Sequence, residues 1–223
     1  MTAKSPTALI TGASRGIGAT MAQELTARGY EVIGTSTKGG NGLRPLDLLD
    51  PNGPAALAKS LSGRAIDLLV CNAGLYLDKD QSLADGYPSE MWATEFAVNV
   101  TGVFLTVQAF LPALKPTHDK TGGKIAIISS QMASHTRAPG GSYIYRASKA
   151  AALNLGRNLA TDLKSDGIAV GIYHPGWVQT DMGGTEAEIS AEQSAKGLSD
   201  RFAALSLTTT GCFETWDGRA HAY

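Results

Sequence analysis

Short apolar runs alternate along this chain with longer stretches in which apolar residues recur every three or four positions. The runs Thr7 to Ile10, Glu31 to Gly34, Ile66 to Cys71, Lys124 to Ser129 and Ile168 to Tyr173 have the length and content of buried strands, and Gly211 to Trp216 is a candidate last strand. Between them the spacing predicts helices over Gly16 to Arg28, closed by Gly29, and over Pro54 to Ser60. Further helices are predicted over Glu90 to Leu114, ended by Pro112 and Pro116, over Tyr143 to Lys164, closed near Gly167, and over Ala191 to Leu205. Strands apolar throughout are buried on both faces. The order of elements therefore predicts an α/β fold, a doubly wound and mostly parallel sheet with helices on both sides. No repeat or low-complexity linker divides the 223 residues, which fit a single domain over 1–223. Such sheets bind ligands beyond the carboxyl ends of their strands. Asn72, Ser130 and His174 fall just past predicted strand ends.

Composition removes alternatives more than it adds detail. Hydrophobic residues make up 43% and charged residues 17% of the chain, as in ordinary globular proteins. A net charge of −1 gives no electrostatic footprint for nucleic acid or an anionic membrane. No apolar run reads as a membrane span. The opening Met1-Thr2-Ala3-Lys4-Ser5-Pro6 lacks the apolar core of a signal peptide, so a cytoplasmic protein is expected. Cys71 and Cys212 match no metal or redox spacing and read as reduced thiols. His118, His174 and His221 show no ligand spacing, and no metal is expected.

The first chemical signal is Thr11-Gly12-Ala13-Ser14-Arg15-Gly16-Ile17-Gly18, between the first strand and the first helix. Gly12 permits a tight turn. Gly16 and Gly18 let backbone approach a pyrophosphate, and the helix start offers free N–H groups and the positive end of a dipole. This strand–turn–helix is the dinucleotide cradle of a Rossmann fold. It is not a P-loop, because no Gly-Lys-Ser/Thr follows. NAD sites often place an acid about twenty residues further on, but the second strand here ends Gly34-Thr35-Ser36-Thr37-Lys38. Arg15 and Lys38 could instead meet a 2′-phosphate, with Thr35 or Ser36 adding a hydroxyl. NADP(H) is therefore expected over NAD(H).

The second signal is Tyr145-Arg146-Ala147-Ser148-Lys149, which puts a phenol and an amine one helical turn apart on one face. A free phenol titrates near pH ~10, and a nearby ammonium favours the phenolate and lowers that value. General acid–base catalysis works best when the group titrates close to the working pH. Tyr143 has Ala147 where a lysine would have to be. His135 lies between the serines and the tyrosine, but no Gly-x-Ser-x-Gly elbow surrounds any serine and a hydrolase triad is lacking. Trp177, Met182 and Met132 read as packing residues or as walls of a substrate pocket.

In their order these residues resemble the classical short-chain dehydrogenases/reductases over essentially the whole chain. The motifs are Thr-Gly-x-x-x-Gly-x-Gly at Thr11 to Gly18, Asn-Ala-Gly at Asn72 to Gly74, Asn99 in the long helix, Ser129-Ser130, Tyr145 with Lys149, and Pro175-Gly176 with Thr180. The wording around Tyr143 to Asn154, Pro175 to Gly184 and Trp216 to Arg219 is similar to a compact branch of C-factor-like and sniffer-like carbonyl reductases. The resemblance implies hydride transfer between NADP(H) and a small carbonyl or alcohol, with Tyr145 as proton donor or acceptor. Lys149 would tune Tyr145 and hold the nicotinamide ribose, a serine would polarise the carbonyl, and Asn99 would hold a water behind Lys149. Ser130 is the expected serine, with Ser129 the runner-up and Ser134 after it, because Met132 stands thirteen residues before Tyr145 where the family has serine. The implied cofactor contacts are Gly12, Ser14, Arg15, Gly16, Ile17, Gly18 and Lys38; Asp47 and Leu48 with Asn72, Ala73 and Gly74 at the adenosine side; and Pro175, Gly176, Val178 and Thr180 over the nicotinamide. Cys71 stands where many relatives have asparagine. Relatives are often homodimers or homotetramers, built through the helices holding Asn99 and Tyr145. A non-catalytic nucleotide sensor on the same scaffold is the rival reading.

Overall fold

The computed structural model describes residues 5–115 and 122–223; Met1 to Lys4, Pro116 and His118 lie outside them. Its strands are β1 (Thr7–Ile10), β2 (Glu31–Ser36), β3 (Arg44–Pro45), β4 (Leu68–Cys71), β5 (Lys124–Ile128), β6 (Ala169–His174) and β7 (Phe213–Thr215). They form one sheet in the order β3-β2-β1-β4-β5-β6-β7, and every neighbouring pair is parallel. β1, β4 and β6 are buried at every position, as a sheet covered on both faces requires. Successive residues point to opposite faces. Leu9, Leu69, Ile125 and Val170 thus join one core, and Ala8, Ile10, Leu68 and Tyr173 join the other.

The helices are α1 (Gly16–Ala27), α2 (Gly53–Ser60), α3 (Ser89–Phe96), α4 (Gly102–Leu114), α5 (Tyr143–Leu163) and α6 (Ala191–Ala204). Met21 and Leu25 of α1 pack with Leu198 and Phe202 of α6 on one face. Leu57 of α2, Val107 and Phe110 of α4 and Leu163 of α5 cover the other. The strand order reverses between β1 and β4, so the loops after these strands open a crevice at the carboxyl edge, as the doubly wound fold predicts.

Five local features differ from the sequence expectation. β2 runs on to Ser36, and β3 was not foreseen; it has two exposed residues, one of them proline, and no apolar pattern to announce it. Pro112 does not end the long helix but sits inside the last turn of α4. That helix is also not uniformly α: a π-helical turn, Ala97–Thr101, joins α3 to α4 and carries Asn99. Such turns displace the hydrogen-bond ladder and gather at functional positions. Finally, the continuous segment Ser89–Leu114, 26 residues long, is apolar enough by length and composition to cross a bilayer. It is a core helix here, with Val103, Val107 and Phe110 against the sheet and with Glu95 and Asn99 buried.

Phe110 is 1% exposed in the larger core. Replacing it with alanine is expected to lower stability by about 3–5 kcal/mol in chemical denaturation, the usual cost of emptying an aromatic core position.

Candidate active site

The crevice is built by two loops fastened to each other. The Thr11 hydroxyl accepts from the backbone N–H groups of Asn72 and Ala73, both at 3.0 Å. The Asn72 side-chain amide donates back to the carbonyls of Thr11 and Gly12, both at 3.0 Å. Gly12 turns at φ +69°, and a Cβ there would stand 2.9 Å from the Ala73 Cα. A Cβ on Gly18 would stand 2.1 Å from the Gly12 carbonyl oxygen, so only glycine lets α1 begin this close to the turn.

Beyond these loops lies a cavity of about 620 Å³. Its wall holds Gly12, Ser14, Arg15, Gly16, Ile17 and Gly18 at the start of α1. Asp47, Leu48, Asn72, Ala73, Gly74, Tyr145, Lys149, Pro175 and Thr180 complete it. Three expected contacts are outside the wall. Lys38 is exposed, because Ser36 receives the Gly39 N–H at 3.0 Å and turns the chain outward; Thr37 lines the cavity in its place. Val178 is 3% exposed and bridges to Ile189, and the missing Cβ of Gly176 would face Ile189 and Trp216. Thr35 is buried as well, its hydroxyl receiving the Gly12 N–H at 3.3 Å, so it is not turned toward a phosphate.

Tyr145 and Lys149 lie on successive turns of α5, both facing this cavity. The ammonium is 5.6 Å from the phenol ring centroid and donates to the Ile128 carbonyl at 3.0 Å. The Ser130 hydroxyl interacts with the Tyr145 phenol. Ser129 instead donates its hydroxyl to the Lys149 carbonyl at 3.0 Å, and Ser134 pairs with Thr136 and the Tyr223 carbonyl. Of the three serines, Ser130 is the one that acts on the phenol, and its hydroxyl also accepts from the Met132 N–H at 3.1 Å. The Asn99 side chain is occupied within the protein. Its oxygen accepts from the Leu75 N–H at 2.8 Å, and its amide donates to the Leu75 carbonyl at 2.9 Å and to Ser148 at 3.0 Å.

Three residues around Tyr145 were not foreseen. The segment following Gly74 crosses from the α3–α4 helix to the start of α5. In it Tyr76 stacks on the Tyr145 ring, centroids 4.2 Å apart and planes at 24°, and bonds Ser142 through its hydroxyl at 2.6 Å. Ser142, at φ +48°, gives α5 no side-chain cap. The buried Asp78 carboxylate does so from 66 residues away, accepting from Ile144 N–H at 2.7 Å and Tyr145 N–H at 3.3 Å. The Glu95 carboxylate accepts the Leu77 N–H at 2.9 Å. No local pattern announces these roles; an acid in Leu77-Asp78-Lys79-Asp80 reads as surface charge until its distant partner is known.

Burial dominates the electrostatics. It pushes the Tyr145 phenol above its ordinary range, Ser130 offsets part of that rise, and Tyr76, Glu95 and Asp78 add to it. It pulls the Lys149 ammonium down to about 8, against an upward pull from Glu95. The expectation that Lys149 lowers the phenol is therefore not met in this site, where desolvation of the phenolate outweighs an amine already bonded to Ile128.

A parallel doubly wound sheet with a glycine-lined cleft at its switch point defines a dinucleotide-binding domain. Residues 54–190 match the short chain dehydrogenase family. The chain is 32% identical to the 1-hydroxy-2-glutathionyl-2-methyl-3-butene dehydrogenase of Rhodococcus sp. (strain AD45), over 95% of this chain and 97% of that one. Among solved structures it resembles the NADPH-bound carbonyl reductase from chicken fatty liver, with a TM-score of 0.87, 29% identity, and 99% and 100% of the two chains covered. The carbonyl reductase Sniffer of D. melanogaster shares the fold, with a TM-score of 0.88 at 23% identity over 99% and 100% of the chains. The chain belongs to the short-chain dehydrogenases/reductases and is an oxidoreductase that uses a nicotinamide cofactor.

Asp78→Ala removes the cap of α5 and leaves two buried N–H groups unpaired. A loss of about 2–3 kcal/mol in denaturant unfolding is expected, in the range for hydrogen bonds to a charged group.

Proposed function

We propose that this enzyme is an NADP(H)-dependent carbonyl reductase in which Tyr145 is the general acid/base. The observation that carries the reading is that Tyr145 and Lys149 line the same cavity as the glycine cradle at α1, with Ser130 acting on the phenol from beside it. The cavity suits a dinucleotide: backbone N–H groups at the start of α1 for the pyrophosphate, Asp47 on the wall for the adenosine, and Lys149 near the phenol for the ribose. When bound, the nicotinamide supplies the hydride for reduction of a carbonyl carbon, or accepts it from an alcohol. As negative charge gathers on the carbonyl oxygen, Ser130 donates a hydrogen bond to it and Tyr145 transfers its phenolic proton. Lys149 stands behind the phenol as the fixed positive charge.

Preference for NADP(H) is argued from Arg15. Its side chain is 79% exposed on the cavity wall, no acid follows β2, and its one ion pair, to Asp181 at 2.9 Å, is equally exposed. Such a pair contributes little and exchanges readily for a phosphate. The NADPH in the chicken carbonyl reductase agrees with this choice.

Two measurements test the reading. Tyr145→Phe is expected to lower kcat/KM for a carbonyl substrate by ~10²–10⁴ while NADPH still binds; full turnover would reject the assignment. Arg15→Ala is expected to cut the preference for NADPH over NADH by about tenfold, the effect of one charge-assisted contact to phosphate.

A further inference from the structure

Glu95 has no part in the reaction as described, yet it is placed unusually for a carboxylate. It is fully buried, one oxygen is held by the Leu77 N–H at 2.9 Å, and the other, also buried, has no partner among the described residues. A buried carboxylate with an open oxygen is costly unless a charge nearby compensates it. Glu95 lies one helical turn before Asn99, so both side chains reach from the same face of the α3–α4 helix toward the segment after Gly74. That face also approaches Lys149: a Cβ built on Gly74 would stand 3.2 Å from the Asn99 side-chain oxygen and 3.3 Å from the Lys149 Nζ. Lys149 is itself 5% exposed, and among the described residues its ammonium has Ile128 O as its one acceptor and no carboxylate in direct contact.

We propose that Glu95 is a positioning residue of the active site: from the neighbouring helix, without touching substrate, its carboxylate is the counter-charge that keeps the buried Lys149 ammonium protonated.

The inference rests on the catalytic reading given above for Lys149. The charged groups acting on Glu95 are Asp78, from the segment after Gly74, which opposes its ionisation, and Lys149, from α5, which favours it. Burial comes first and pushes the Glu95 carboxyl up to about 7. Glu95 in turn holds up both Lys149 and Tyr145. The sign is therefore fixed. Removing the negative charge lowers the pKa of both groups, and carbonyl reduction needs both protonated. The alkaline limb of the rate profile must move toward acid, whichever of the two sets it.

Glu95→Gln is nearly isosteric and its amide oxygen can still accept from Leu77. In the variant the alkaline limb of kcat/KM for carbonyl reduction is expected to shift acidward by about one pH unit, the ordinary effect of one nearby opposite charge. Glu95→Asp should lie between the two proteins. A uniform fall in rate with an unmoved limb would mark Glu95 as merely structural and overturn the proposal. A second readout needs neither substrate nor cofactor: the ¹³C shift of the Lys149 ε-carbon in lysine-labelled protein, assigned with Lys149→Arg. In the unsubstituted protein that carbon should titrate near 8 and also sense the Glu95 ionisation near 7, and in Glu95→Gln its titration should move down. Should Glu95→Gln not fold, the profile in the unsubstituted protein still decides, since a Lys149 signal blind to an ionisation near 7 overturns the coupling. If no carbonyl is reduced but the Lys149 titration moves, the catalytic reading fails and the electrostatic one stands.

Discussion

Much of this site is organised by the burial of one ammonium. Lys149 is almost wholly removed from water at the edge of a cleft, where a charged amine is disfavoured. Its surroundings answer that cost group by group. The Ile128 carbonyl at the end of β5 accepts its one direct bond, Ser129 fixes the backbone from which the side chain springs, and the absence of a side chain on Gly74 leaves room for Nζ. Two come from the end of β5 and one from the loop after β4, none from α5 itself. The amine can be charged only if β5, the loop after β4 and α5 are all in register, so the parallel sheet is a precondition of the chemistry.

The segment from Leu75 to Asp78 ties the second half of the site together. Along four residues it is held by Asn99, stacks on Tyr145, is held by Glu95 and caps α5. Two helices distant in sequence are thereby locked at one spacing. The π turn is part of the same arrangement: it sits where α3 passes into α4, and it carries the asparagine that grips both sides of the Leu75 peptide unit. In this structure the Asn99 amide acts as a clamp on that segment, and its side chain has little capacity left for the water that the family resemblance assigns to it.

The division between what the sequence tells and what it hides follows from the range of the interactions. Strands and helices were legible because burial on both faces of a parallel sheet writes continuous apolar runs, and helix packing writes a period. The glycine turn was legible because a backbone that must approach a pyrophosphate tolerates no side chain. The Tyr145–Lys149 pair was legible because one helical turn is a local distance. The place of Lys38 was not legible because it depends on where β2 ends, and a turn closed by Ser36 and Gly39 leaves it exposed beside the cavity wall. Asp78, Tyr76 and Glu95 were invisible for the opposite reason: each acts on a residue of another element, and nothing in their own neighbourhoods differs from ordinary loop or helix surface.

The sequence argument assumed that the amine exists to acidify the phenol. In the folded chain desolvation works on both groups, raising the phenol and lowering the ammonium. Burial thus stabilises a protonated phenol and threatens the protonation of the amine. For a reductase the first is the required state, since the phenol must give a proton to the nascent alkoxide. The second must be opposed, because a neutral amine could not balance the phenolate left behind. An acid on the adjacent helix meets that need without entering the cleft. It raises the phenol further, keeping the donor loaded, and it sustains the ammonium at the pH where the amine would otherwise lose its proton. One buried negative charge corrects one group and reinforces the other, which gives this buried carboxylate a role beyond its bond to Leu77.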